Sequence, residues 1–91
     1  MGRKRNNYEI SLDILEACKQ GNRKTAIMYK ANLNFKAMNK YFNPMIDKGY
    51  ICRKDEIYLI TDKGKKYLEV LKCYKDKKTE LEEIKGRLKQ F

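Results

Sequence analysis

The sequence predicts a mostly α-helical fold with one small β-hairpin and a long closing helix, and three observations carry that prediction. Apolar residues recur at spacings of three and four through residues 8–20, 35–47 and 62–89, the period of helices that bury one face. Residues 50–60 instead hold two short runs rich in β-branched and aromatic side chains around a charged turn, which is hairpin chemistry. The single proline is Pro44, so nothing interrupts the C-terminal run.

The elements follow in order. Residues 1–7 form a basic, polar arm expected to be flexible. In the first helix, residues 8–20, Ile10, Ile14, Ala17 and Cys18 make the apolar stripe and Glu9, Asp13 and Glu16 lie off it, with Asn7 as N-cap and Gly21 as stop. A short second helix starts at Asn22 and turns Ile27 and Ala31 inward. Asn32-Leu33-Asn34 breaks the pattern, and Asn34 can cap a third helix whose Phe35, Met38, Phe42 and Met45 form the packing seam. Pro44 removes a hydrogen bond to Lys40 and costs about 3 kcal/mol inside a helix, so a kink or break is expected near Asn43. After Gly49, residues 50–53 and 57–60 pair around Lys54-Asp55-Glu56. Thr61 or Asp62 then caps a helix of roughly 28 residues, about 42 Å long. Tyr67, Leu68 and Leu71 can pack on the body. Tyr74, Lys78, Leu81, Ile84, Leu88 and Phe91 extend the stripe beyond it and need a cover.

Ninety-one residues support one core, and ten aromatics are enough to fill it. No stretch approaches the apolar length of a membrane span, and no apolar signal core follows MGRKRNN, so a cytoplasmic location is expected. Cys18, Cys52 and Cys73 are far apart and form no CxxC pair, which reads as reduced thiols. With no histidine, ligands for a transition metal and a general base are both lacking, and no phosphate loop or nucleophile motif appears. Neither a metal, a cofactor, a small-molecule substrate nor enzymatic activity is expected.

The net charge of +10 is informative because it is concentrated. Residues 21–54 hold eight bases against one acid, Asp47, while the rest of the chain is nearly balanced. A local positive field of that kind suits a polyanion, and nucleic acid is the leading partner. The outward face of the third helix carries Lys36, Asn39, Lys40 and Asn43. Three short helices, a hairpin and a closing helix with that face basic form the winged helix-turn-helix arrangement, in which a helix enters the major groove of duplex DNA. Lys36, Asn39, Lys40 and Asn43 are the groove candidates, with Asn34, Arg23 and Lys24 beside them and Arg53 and Lys54 on the wing. Arg3, Lys4 and Arg5 are candidate arm contacts.

The blocks ILEACKQGNRKT (14–25), IMYKANLNF (27–35) and YLITDKGKKYLE (58–69) resemble the archaeal ten-kilodalton winged-helix chromatin proteins over nearly the whole chain. The turn Ile60-Thr61-Asp62-Lys63-Gly64 within the last block is shared by many winged-helix regulators. The resemblance implies a homodimer joined through an antiparallel coiled coil of the C-terminal helices, with two DNA-binding faces held apart and a nucleoid-associated role in chromatin or transcription. Residues 74–91 occupy the matching segment, so Tyr74, Lys78, Leu81, Ile84, Leu88 and Phe91 are the expected dimer contacts. Pro44 and the acidic wing tip Asp55-Glu56 depart from the pattern.

Duller readings compete. The basic face can be an ordinary solvated surface, and Tyr29, Phe35, Tyr41 and Phe42, which could stack on bases, fit core packing better by their spacing. Gly86 weakens the last helix by about 1 kcal/mol relative to alanine. A winged-helix adaptor that binds an acidic protein is the alternative function, because fold does not fix function.

Overall fold

The computed structural model describes residues 4–91, and its elements run α1 (Asn7–Cys18), α2 (Lys24–Lys30), α3 (Phe35–Asp47), β1 (Ile51–Lys54), β2 (Ile57–Ile60) and α4 (Asp62–Leu88). Each boundary has a local cause. Asn6, one residue before the expected cap, closes a capping box with Glu9: the Glu9 N–H donates to the Asn6 side chain at 2.9 Å and the Asn6 N–H to Glu9 Oε1 at 3.1 Å. The end of the basic arm is thereby drawn into the first helix. Gly21, at φ +82°, ends that helix region as expected.

The second helix starts two residues later than its sequence suggests. The backbone of Asn22 is spent on the sheet, exchanging both hydrogen bonds with Tyr58 at 3.1 and 2.8 Å, so it forms a short third rung beside β2. Ile27 and Ala31 face the core as expected. Asn32 adopts a left-handed φ of 54° in the turn, and Asn34 caps α3 by accepting from the Ala37 N–H at 2.8 Å.

Pro44 does not break α3, which runs continuously to Asp47. Lys40 and Pro44 both lie on the solvent side, so the Lys40 carbonyl that loses its amide partner can be hydrated. The hairpin pairs Ile51 with Ile60 through Lys54 with Ile57, leaving the two-residue turn Asp55-Glu56 with Asp55 at φ 57°.

The turn from β2 into α4 gives Thr61, Lys63 and Gly64 of the run Ile60-Thr61-Asp62-Lys63-Gly64 each a local role. Thr61 Oγ accepts from the Gly64 N–H at 3.0 Å and donates to the Gly49 carbonyl at 2.5 Å. Lys63 Nζ donates to the Lys48 carbonyl at 2.7 Å and lies 5.3 Å from the centre of the Tyr50 ring. Gly64 is buried against the Tyr50 backbone, where any Cβ would stand 2.1 Å from the carbonyl oxygen.

Ile14, Leu15, Cys18, Ile27, Met38, Phe42 and Ile51 fill the centre, closed by Leu68 and Leu71 of α4. Phe42 meets Tyr58 edge-on at 4.9 Å, joining α3 to the hairpin. The radius of gyration is 15.0 Å, against about 12 Å for a compact chain of this length. The long axis of 56 Å explains the excess, since α4 outruns the body.

Candidate nucleic-acid interface

α3 presents Lys36, Asn39, Lys40 and Asn43 to solvent, as their spacing implies. Its first turn contains no acid, so the positive end of the helix dipole adds to the lysine charges. Asp47 is exposed one turn beyond Asn43, which confines the acid-free part of the face to the N-terminal two turns and more of the helix. Lys24 of α2 reaches across the turn: its Nζ donates to Asn39 Oδ1 at 3.3 Å and lies 5.7 Å from the centre of the Phe42 ring. Lys24, Lys36, Asn39 and Lys40 thus form one surface, while Asn34 keeps its side chain for the cap.

The wing packs on α3 itself, through Tyr58 of β2 against Phe42. Arg53 Nε donates to the Asp55 carbonyl at 2.7 Å, and its guanidinium lies 5.9 Å from the centre of the Tyr58 ring, which orients the head at the wing while the residue stays exposed. Lys54 is exposed beside it. The acidic tip is partly offset, because Glu56 pairs with Arg23 at 3.4 Å. Both partners are solvated, so the pair is weak and can reopen.

The N-terminal candidates separate. Arg3 lies outside the described residues, and Lys4 is exposed. Arg5 is no free arm contact: its guanidinium binds Asp13 at 2.6 Å, the Ala31 carbonyl at 2.7 Å and the Asn32 carbonyl at 2.9 Å. It is committed to holding the helix-turn-helix turn against α1.

The C-terminal stripe also divides. Tyr74 packs against Tyr8 with ring centroids 5.1 Å apart, and its hydroxyl accepts from Asn6 Nδ2 at 2.7 Å. Lys78 is paired at 2.8 Å with Glu9, and that hydrogen bond holds its ammonium above the usual lysine range against the opposing effect of burial. The body therefore grips α4 as far as Lys78, further than expected. Beyond it Leu81, Ile84, Leu88 and Phe91 are exposed.

The winged helix-turn-helix family matches residues 4–79. The chain belongs to that family. Two relatives in Methanocaldococcus jannaschii, both uncharacterised proteins, are each 39% identical to this winged helix-turn-helix protein, one over 64 residues and the other over 67. These matches cover 69% and 72% of the present chain, but 66% and 32% of the relatives' own lengths. The crystal structure of Sso10a-2, a DNA-binding protein from Sulfolobus solfataricus, superposes with a TM-score of 0.84 at 27% identity, covering 94% of this chain and 95% of that one. The resemblance read in the sequence is thus matched by a solved structure along nearly the full length, α4 included.

Two aromatics of this winged helix-turn-helix protein lie where sequence reasoning did not put them. Tyr29 is 88% exposed and Phe35 is 69% exposed, whereas Tyr41 is half-buried and Phe42 fully buried. For Tyr29 the signal was present, since it falls two residues from both Ile27 and Ala31 and so on the opposite face of α2. Phe35 shares a row with Met38 and Phe42, but it occupies the first position of α3, where the helix overhangs the end of the core. Val70, 66% exposed beside Tyr67 and Tyr74, also escaped notice.

Among the described residues no cluster of three metal-ligating side chains occurs, and no helix is long and apolar enough to cross a membrane.

Proposed function

We propose that the protein is a non-enzymatic binder of double-stranded DNA, acting as a homodimer with α3 in the major groove and serving a nucleoid-associated role in chromatin or transcription. The observation that carries this reading is the exposed, acid-free surface of Lys36, Asn39 and Lys40 with Lys24 alongside, on a helix that a groove can admit. Arg53 and Lys54, exposed on the wing, would meet the flanking phosphates, and the likeness to Sso10a-2, a DNA-binding protein, supports the reading.

The dimer reading rests on α4. Tyr67, Tyr74, Leu81 and Leu88 recur every seven residues, and Val70, Ile84 and Phe91 fill the second heptad line, with Lys77 as its one polar member. An antiparallel pairing would lay the apolar tip of one helix over Val70 and Tyr74 of the other, covering both ends of the stripe at once.

A fluorescence titration against duplex DNA tests the binding. With about six phosphates neutralised, the slope of log K against log salt is expected near −5. Lys36→Glu combined with Lys40→Glu is expected to abolish retention at physiological salt while leaving the solution mass unchanged. A flat salt response, or undiminished binding by the double variant, removes α3 from the interface and leaves an acidic protein as the partner to seek.

A further inference from the structure

We propose that Phe35 reads the 5-methyl group of thymine, so that the α3 surface discriminates bases by an apolar contact as well as by hydrogen bonds. The inference rests on the DNA-binding reading above and assigns a specificity-determining residue within it.

Phe35 is the first residue of α3, and its ring is largely in water. It has no aromatic or cation–π partner among the described residues, and it stands outside the cluster of side chains packed on the core. A phenylalanine ring left in water forfeits the gain its burial would bring, and a surface that covers it recovers that gain.

The surroundings select the kind of surface. Lys36 follows it directly, Asn39 stands one turn further along, and Lys24 is bonded to Asn39. The first turn carries no acid, so the positive end of the helix dipole is not offset there. A polyanion is drawn to this end of the helix first. The N-terminal residues of a helix-turn-helix recognition helix are the ones that reach base edges in the major groove. The apolar group exposed on that floor is the thymine methyl, for which phenylalanine is a suitable partner. Asn39 is placed to take the hydrogen-bonding edge of a neighbouring adenine, so the combination favours A·T steps.

The test compares two duplexes of the same mixed sequence, one with thymidine and one with deoxyuridine throughout, which differ only by the methyl groups. The wild-type chain is expected to bind the thymidine duplex about three- to fivefold more tightly, the value of one buried methyl-sized group. Phe35→Ala is expected to bind both duplexes equally, near the wild-type affinity for the deoxyuridine duplex, and Phe35→Leu to keep part of the preference. Equal binding of the two duplexes by the wild type overturns the proposal alone, as does a preference that survives in Phe35→Ala. Tighter binding to the corresponding single strand would mean base stacking and also overturns it. Failure to bind either duplex at low salt overturns the DNA-binding reading with it.

Discussion

Arg5 sits in a run of cations that looks like a tail, yet its guanidinium neutralises Asp13 and satisfies two carbonyls at the end of α2. Charge is legible in a sequence; the acceptor that uses it is not, because Ala31 and Asn32 offer backbone atoms that every residue has. Glu9 shows the same economy, with one carboxylate oxygen serving both the α1 cap and Lys78 of α4. Among the cysteines, Cys18 is buried and Cys52 and Cys73 are exposed. Burial pushes the Cys18 thiol up to about 12. A thiol whose folded pKa lies above its unfolded value binds its proton more tightly in the native state, so this contribution to stability is present below the unfolded value near 9 and declines above it. At pH 8, Ellman's reagent is expected to modify two thiols of the native protein rapidly and the third only in denaturant. Three fast thiols would show that Cys18 is not shielded as described.

At the level of the element, the helices and the hairpin were legible because periodicity, caps and turn residues are local signals. Two local rules were overridden. Asn22 has the side chain of a helix cap, but pairing its backbone with Tyr58 was worth more than starting α2 there. Pro44 carries the signature of a break, but its lost hydrogen bond falls on the hydrated side of α3 and the helix continues. Gly64 shows the opposite case, in which a weak sequence signal marks a tight contact. The α4 backbone approaches Tyr50 so closely that a methyl group would strike its carbonyl. Gly64→Ala is expected to destabilise the protein by about 2–3 kcal/mol despite the better helix propensity of alanine, through overpacking. A melting temperature equal to the wild type would show that the turn relaxes freely. Gly86 has open space around it, so Gly86→Ala is the matched control.

The whole molecule is a small body from which α4 projects. Past Lys78, the remaining ten residues of α4 extend about 15 Å. Leu81 and Ile84 are each about half exposed on that projection, an arrangement that a partner surface would relieve. Leu81→Glu with Ile84→Glu is expected to convert a dimeric mass to a monomeric one by analytical ultracentrifugation. On the proposed homodimer, the same change should weaken duplex binding at least tenfold, since two linked DNA-binding faces gain an avidity that one lacks. A dimer that survives both glutamates would place the interface elsewhere.

Composition and spacing alone were enough to establish a winged helix-turn-helix with an over-long last helix, a basic third helix and the sides on which its lysines emerge. All of these follow from periods and charges carried by neighbouring residues. Depth and partnership came only with the folded chain. Phe35 and Phe42 share a row, but one overhangs the core and the other fills it; Tyr74 and Lys78 share a stripe with Leu81, but the first helix holds them. A period specifies direction around an axis, whereas burial depends on where another element ends, and that is set by contacts between residues distant in sequence.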